Sequence, residues 1–156
     1  MDDLDRRLID LFATDPRVGV LEASRRLGVA RGTVQARIDK LETTGVVTGY
    51  GPDLSPEALG YPVTAFLTLE IRQEATDGAG HDTVGTHLAA IPEVLEAHTI
   101  TGAGDLMVRV VARSNADLQR VIDRFLAAPA ITRSSTVIAL ATQVPYRVLP
   151  LVRSTA

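Results

Sequence analysis

The chain has 156 residues, is 46% hydrophobic and carries a net charge of −3, which is ordinary for one globular domain or two small ones and excludes a disordered chain. Cysteine is absent, so disulfides, thiolate catalysis and cysteine zinc sites are excluded. No apolar run is long enough to cross a membrane and no secretion signal begins the chain, which predicts a soluble, cytoplasmic protein.

The first 45 residues predict three short helices joined by tight turns. Asp2 or Asp3 can cap the first helix, which has apolar residues at helical spacing and ends at Asp15-Pro16. The same pattern predicts a second helix over Val20–Leu27 and a third over Ala30–Thr43.

The following residues connect this helical part to the rest of the chain. Val46–Tyr50 is predicted to be a short strand. Gly51–Pro56 has the proline and glycine content of a linker, which can include a helical turn up to Gly60.

The second half of the chain predicts the element order β-α-β-β-α-β. Its four strands are predicted over Val63–Arg72, Val94–Thr101, Leu106–Arg113 and Thr132–Gln143. One helix spans Thr83–Ile91, after a loop over 74–80, and the other begins after Ser114 and ends at Ala128-Pro129. This order is the ferredoxin-like pattern, in which two helices cover one face of a four-stranded antiparallel sheet, so the fold class is α+β.

The other face of this sheet predicts self-association. On the first strand Phe66 lies on one face, whereas Leu67, Leu69 and Ile71 lie on the opposite one. Since the helices cover only one face, the second and partly apolar face needs a partner. A homodimer that packs sheet against sheet provides one.

The second and third helices, with Gly28 between them, have the dimensions of a helix-turn-helix. With Val34 and Leu41 facing inward, Arg31 could pair with guanine and Gln35 with adenine, while other basic residues would meet phosphate. The candidate DNA-binding residues are Arg25, Arg26, Arg31, Thr33, Gln35, Ala36, Arg37 and Lys40. The alternative is a small helical bundle whose charges are simply solvated.

Charge is concentrated on the same stretch. Residues 24–40 carry five basic side chains and one acidic one, whereas the rest of the chain is acidic. The whole-chain charge is therefore a poor guide to the partner. A net +4 on each helical headpiece implies weak binding by one copy, so that several copies would have to act together.

The turn over Thr101–Asp105 is a second candidate site. Two glycines expose backbone N–H groups to a small anion, and Asp105 could accept hydrogen bonds from an ammonium group, a combination that suits an amino acid. The alternative is an ordinary hairpin in which Asp105 caps its own backbone. It is not a dinucleotide fingerprint, because a strand rather than a helix follows.

No catalytic or metal-binding constellation accompanies these sites. His81, His87 and His98 lack metal-ligand spacing, and they are interpreted as surface or partly buried histidines. No serine lies in a nucleophile-elbow context and no carboxylate pair is singled out by spacing. We therefore expect a protein that is not an enzyme and that needs no cofactor or metal.

Taken together, the segments resemble the Lrp/AsnC, or feast/famine, family of transcriptional regulators over roughly residues 2 to 143. The run from Arg37 to Glu42 followed by that from Gly45 to Tyr50 is the most diagnostic. The other carriers are Leu4 to Ile9, Asp15 to Val18, Leu59-Gly60-Tyr61, the spacing of Thr101-Gly102 before Asp105, and Ser135 to Ile138.

The resemblance implies a winged-type helix-turn-helix domain over 1–50, a linker over 51–61, a ferredoxin-like effector-binding and oligomerisation domain over 62–143 and a C-terminal tail over 144–156. It implies sequence-specific binding to double-stranded DNA, modulated by an amino-acid effector, and a homodimer that assembles to an octamer or similar ring. The implied effector-binding residues are Thr101, Gly102, Gly104, Asp105 and Thr136.

The chain departs from the family pattern at two helix starts and at the turn. Gly19 and Ala30 stand where the family usually has a capping side chain, which weakens both helix starts. Ala103 and Gly104 make the rim of the turn small, which favours a large apolar or aromatic amino acid as effector. The remaining alternatives are a ferredoxin-like amino-acid-binding module and a co-regulator that does not itself bind DNA specifically.

Overall fold

The computed structural model of the protein describes residues 1–72 and 79–154. The chain forms two compact units, of which the first comprises Met1–Asp53 and the residues from Val144 onward, and the second comprises Leu54–Gln143. Among the described helices, none is both long and apolar enough to cross a membrane.

Three helices form the core of the first unit, and their bounds agree with the predicted ones to within one residue. They are α1 (Asp3–Thr14), α2 (Val20–Leu27) and α3 (Arg31–Thr43). Their apolar stripes meet in a small core centred on Leu8, Ala23, Val34 and Leu41. Burial of these stripes is what holds such short helices together.

Reciprocal hydrogen bonds between Asp2 and Asp5 begin α1. The Asp5 amide donates to Asp2 Oδ1 at 3.0 Å, and the Asp2 amide donates to Asp5 Oδ2 at 3.1 Å. This capping box satisfies two amides that have no partner inside the helix. It confirms Asp2 as the predicted cap.

The strand predicted over Val46–Tyr50 is wrong, and the described residues of the first unit contain no wing strand. The amides of Val46 and Val47 both donate to the carbonyl of Leu41, at 2.9 and 3.0 Å, so they complete the end of α3 instead of pairing with a strand. Tyr50 then donates its hydroxyl to Glu42 at 2.8 Å. A strand needs a hydrogen-bonded neighbour, and this segment bonds to a helix.

A further helix near the end of the chain, α6 (Leu149–Ser154), also belongs to the first unit and has no counterpart in the predicted elements. Arg153 Nε donates to Asp10 Oδ1 on α1 at 2.9 Å. The residues expected to form only a tail therefore include a helix that contacts α1.

The second unit has the predicted β-α-β-β-α-β order and an antiparallel sheet in the order β2-β3-β1-β4. Its elements are β1 (Val63–Ile71), α4 (Ala79–Ala89), β2 (Val94–Thr99), β3 (Leu106–Ala112), α5 (Asn115–Leu126) and β4 (Ile131–Ile138). Before β1, a turn ends at Gly60, whose φ of 91° favours glycine, and this confirms the helical turn predicted in the linker.

Two of these elements differ from their predicted bounds by more than two residues, and the other differences are of one or two residues. α4 begins four residues before the predicted Thr83. The prediction missed this first turn because residues 79–82 lack the apolar repeat that marks a helix. β4 ends five residues before the predicted Gln143: its last residue, Ile138, pairs with Ala65, and the Ala139 amide donates to the Thr64 carbonyl close to the first residue of β1. Residues 73–78 of the predicted loop lie outside the described residues.

The faces of the sheet follow the predicted alternation. Leu67, Leu69 and Phe125 are fully buried, because α4 and α5 pack against that side of the sheet. On the other side Phe66 is 38% exposed, Met107 41% and Val137 65%. The helix-covered face thus contains the core, and an apolar patch remains on the uncovered one.

Candidate nucleic-acid interface and effector turn

The helix pair α2–α3 has the geometry of a helix-turn-helix. Gly28 ends α2 with a φ of 70°, the left-handed conformation that allows a sharp turn into α3. Val34 and Leu41 are buried, so α3 is anchored along one side and its other side is exposed. Neither Gly19 nor Ala30 makes a side-chain cap bond, which confirms the weakened helix starts.

The exposed side of α3 carries most of the predicted base-reading residues. Arg31, Thr33, Gln35 and Ala36 are all exposed along its first half. None of the ion pairs within residues 1–72 and 79–154 involves Arg31. Gln35 Nε2 donates to Asp39 Oδ1 at 2.8 Å, so its amide must leave this partner before it can read a base.

Arg25 and Arg26, predicted to meet phosphate, are exposed at the end of α2. Arg26 donates to Glu22 at 3.0 Å and to Asp15 at 3.1 Å, and these two carboxylates raise the pKa of its guanidinium, Glu22 most strongly. Arg25 lies 3.8 Å from Glu22. Such exposed pairs are weak.

Arg37 and Lys40, also predicted to contact DNA, are held by carboxylates of α1. Arg37 donates to Asp2 and, at 3.1 Å, to Asp5, while Lys40 Nζ lies 3.2 Å from Asp5. Asp5 is fully buried. Its burial would raise the pKa of the carboxyl, but bonds from the Asp2 amide, Lys40 and Arg37 outweigh it and hold the pKa below the ordinary 3.8.

Asp5 is the residue of this region that the sequence analysis did not single out. Its neighbour three positions later, Leu8, is at the centre of the core, which places Asp5 on the inner side of α1. The sequence does contain a signal for this role: Asp5 is a charged residue at a core-facing position of an amphipathic helix. Such a group is buried only when it is paired, so its position predicts a charged partner.

The turn before β3 is built around Asp105. Its Oδ2 accepts a hydrogen bond from the Ile71 amide of β1 at 2.7 Å, and its own amide donates to the Leu69 carbonyl at 2.9 Å. Gly102 has a φ of 117°, which strongly favours glycine. Asp105 therefore caps the backbone of the neighbouring strand rather than its own.

The other predicted effector residues differ in exposure and in distance from this turn along the sheet. Thr101, Gly102 and Ala103 are exposed at its tip, while Gly104 is half-buried against Thr68. Thr136 is exposed on β4, opposite Leu67 of β1. Because β1 lies between β3 and β4, Thr136 is not on the strand next to the turn.

The histidines form no metal site in the described part of the chain. His87 Nε2 lies 2.8 Å from the Arg124 carbonyl, and His98 lies 3.6 Å from Glu96. The side chain of His81 falls outside what the structure describes. Residues 1–72 and 79–154 contain no group of three side chains placed to hold a metal ion together.

Comparisons with known proteins cover both units. A family model described as the Lrp/AsnC ligand binding domain matches residues 64–149, and the model of the AsnC-type helix-turn-helix domain matches residues 1–42. The chain is 28% identical to the HTH-type transcriptional regulator FL11 of Pyrococcus horikoshii over 151 residues, 97% of each chain. It is 32% identical to regulatory protein AsnC of Escherichia coli K12 over 122 residues, 78% of each.

Solved structures give the same result. That of E. coli AsnC matches with a TM-score of 0.84 at 27% identity, over 96% of this chain and 99% of that one. A feast or famine regulatory protein from M. tuberculosis, solved in complex with L-methionine, matches with a TM-score of 0.79 at 29% identity, over 94% and 96%. These similarities confirm the resemblance read from the sequence. The chain belongs to the Lrp/AsnC family of transcriptional regulators, with an N-terminal helix-turn-helix DNA-binding domain and a C-terminal ligand-binding domain.

Proposed function

We propose that this regulator acts in the cytoplasm, binds a specific DNA sequence through α3, and changes its DNA binding or its assembly when an amino acid binds. The observation that carries the DNA-reading part is the exposed first half of α3. There Arg31 has its guanidinium unpaired among the described residues, next to a helix start that has no side-chain cap. Uncapped helix amides and an unpaired arginine are both suited to the edge of a major groove.

In this proposal Arg31 pairs with guanine, while Thr33, Gln35 and Ala36 meet neighbouring bases. Arg25 and Arg26 position the headpiece on phosphates, exchanging their surface carboxylates for the DNA backbone. The net charge of +4 over residues 24–40 supports attraction to DNA, although the acidic flanks limit it.

Replacing Arg31 by alanine is expected to weaken binding to a specific duplex roughly tenfold, the effect of one lost base contact. The duplex is selected from a random pool with wild-type protein, and affinities are compared by gel shift at matched salt. Arg133, exposed on β4 of the second unit, offers a control, since Arg133→Ala removes the same charge far along the chain. Equal affinities for wild type and Arg31→Ala would refute the base contact.

The effector part of the proposal rests on the turn before β3. One carboxylate oxygen of Asp105 is occupied by the Ile71 amide, and the other accepts no hydrogen bond from the described residues, so it could receive an ammonium group. Backbone amides near Gly102 could receive the carboxylate. The M. tuberculosis relative was solved with L-methionine, an apolar amino acid, which supports this ligand class.

We therefore expect isothermal titration with the twenty amino acids to show binding of large apolar or aromatic ones. The small side chain of Ala103 leaves room for such a ligand, and the exposed Met107 offers it an apolar contact, whereas Leu106 is buried in the core. Asp105→Ala is expected to lose the ligand response and to retain DNA binding. Binding of aspartate or lysine alone would contradict the proposed ligand class, and loss of DNA binding by the variant would make Asp105 structural.

Assembly completes the proposal. Phe66, Met107 and Val137 form an apolar patch on the uncovered sheet face, and a second copy would bury it in a sheet-to-sheet homodimer. Dimers would then assemble into an octamer or a similar ring, which presents several weakly charged headpieces to one DNA molecule.

A further inference from the structure

Four charged side chains join the start of α1 to the second half of α3. Asp2 and Asp5 stand on the first side, Arg37 and Lys40 on the second. Two negative and two positive groups leave this cluster with no net charge. We refer to these four residues as the α1–α3 charge cluster.

The burial of Asp5 keeps Arg37 and Lys40 from exchanging their carboxylate partner for a DNA phosphate. Its side chain has no exposed surface, whereas those of Arg37 and Lys40 are 30% and 50% exposed. A buried carboxylate that loses its cations keeps the full desolvation penalty, while an exposed cation loses little by remaining where it is. A phosphate that drew both cations away would therefore leave Asp5 with a buried, poorly compensated charge.

The cluster also determines how α3 is oriented. Val34 and Leu41 anchor α3 in the core, and Arg37 lies between them in sequence, at the point where α3 contacts the first turn of α1. The contacts bear on two successive turns of α3, at Arg37 and Lys40, and so restrict its rotation about its own axis. Thr33 lies one turn before Arg37, so its direction depends on that rotation.

We propose that Asp5 is a positioning residue for DNA recognition: it holds Arg37 and Lys40, so that these two cations fix the rotation of α3 and do not neutralise DNA phosphates. This inference rests on the proposed function, since it assigns the base-reading role to the first half of α3. It also explains why the basic stretch offers fewer cations to DNA than its sequence suggests. Arg25, Arg26 and Arg31 remain for that purpose.

The salt dependence of DNA binding tests this inference, because its slope counts the phosphates that are neutralised, at about 0.9 per cation. Full-length protein is titrated with a selected duplex and with a random duplex over a series of salt concentrations. Arg25→Gln is expected to lower the slope by about 0.9 for each bound headpiece. Arg37→Gln is expected to leave the slope unchanged and to lower the ratio of specific to random affinity roughly tenfold, the effect of one misplaced base contact.

Asp5→Asn is expected to change the slope in the opposite direction from Arg25→Gln. It removes the buried charge while keeping the shape. Lys40 then loses its carboxylate and Arg37 keeps only Asp2, so the slope is expected to steepen by up to about 1.8 for each bound headpiece while specificity falls. A merely structural role for Asp5 would lower stability without adding phosphate contacts. If this variant fails to fold, Arg37→Gln decides the question alone.

The outcomes separate this inference from the proposed function. A slope that falls as much in Arg37→Gln as in Arg25→Gln overturns the inference, because Arg37 then contacts phosphate, and leaves the DNA-binding function intact. An Asp5→Asn protein that folds and keeps the wild-type slope also overturns it. A wild-type slope near zero on both duplexes overturns the proposed function and the inference together.

Discussion

Glutamate in place of Phe66 is expected to separate the assembled protein into single chains and to weaken DNA binding about a hundredfold. Phe66 is 38% exposed on the uncovered sheet face, where Val137 lies beside it on β4. Burial of a carboxylate between two such faces is costly even beside a cation, because the desolvation penalty can exceed the attraction between the charges. Loss of assembly removes the joint presentation of headpieces, which typically contributes a factor of 10² to 10⁴ to affinity.

Within one chain the same change is expected to be tolerated. Phe66 is paired across the sheet with Arg109, so a glutamate at this position gains an oppositely charged neighbour and the monomer should keep its fold. Sedimentation velocity gives the oligomeric state, circular dichroism the fold, and a gel shift the affinity. Phe66→Leu, which keeps the face apolar, is the matched control and should sediment as wild type does. An unchanged sedimentation coefficient for Phe66→Glu would place the interface elsewhere.

The helices were predictable from the sequence because their determinants are local. Asp2 at the start of α1, Gly28 at the end of α2 and Ser114 at the start of α5 act on amides or carbonyls within a few residues of themselves. The apolar spacing of each helix matches the core it enters. These signals need no knowledge of the rest of the chain.

Strand ends were less predictable, because they depend on a neighbour elsewhere in the sequence. Val46–Tyr50 has a strand-like composition, but its first amides bond to α3. β4 ends at Ile138, which pairs with Ala65 near the start of β1, although apolar residues continue to Leu140. α6 contains Pro150 and spans six residues, too short to show a helical repeat.

In the candidate sites, too, local features were predictable from the sequence and contacts between distant residues were not. Clustered charge and apolar spacing were enough to predict the exposed residues of α3, including Arg31 and Gln35. The partners of those charges were not predictable, since Asp5 and Arg37 are 32 positions apart and meet only after α1 and α3 pack. The bond from the Ile71 amide to Asp105 likewise joins residues 34 positions apart.

Gly104 shows how a contact between distant residues constrains the effector turn. Gly104→Ala is expected to destabilise the second unit by about 3 kcal/mol, the upper end of the usual cost of overpacking a site. An added Cβ would overlap Cγ2 of Thr68 and lie 3.2 Å from the Leu69 carbonyl. The backbone φ of Gly104 is not among the positive ones, so the cost comes from crowding and not from chain conformation. Glycine here therefore allows the turn to approach β1 closely, whatever ligand it binds.

A double-mutant cycle with Thr68→Ala measures that crowding. Without Cγ2 the nearest side-chain atom is Thr68 Cβ at 3.7 Å, an ordinary contact, and only the Leu69 carbonyl at 3.2 Å must still shift slightly, so Gly104→Ala should cost about 1 kcal/mol in the Thr68→Ala background. Gly102→Ala is the matched control. Its φ of 117° strains any side chain, yet nothing lies within 4 Å of the added Cβ, so its cost should not depend on Thr68. Urea unfolding gives the four free energies, and equal costs of Gly104→Ala in both backgrounds would show that Thr68 is not the group that excludes a side chain from this turn.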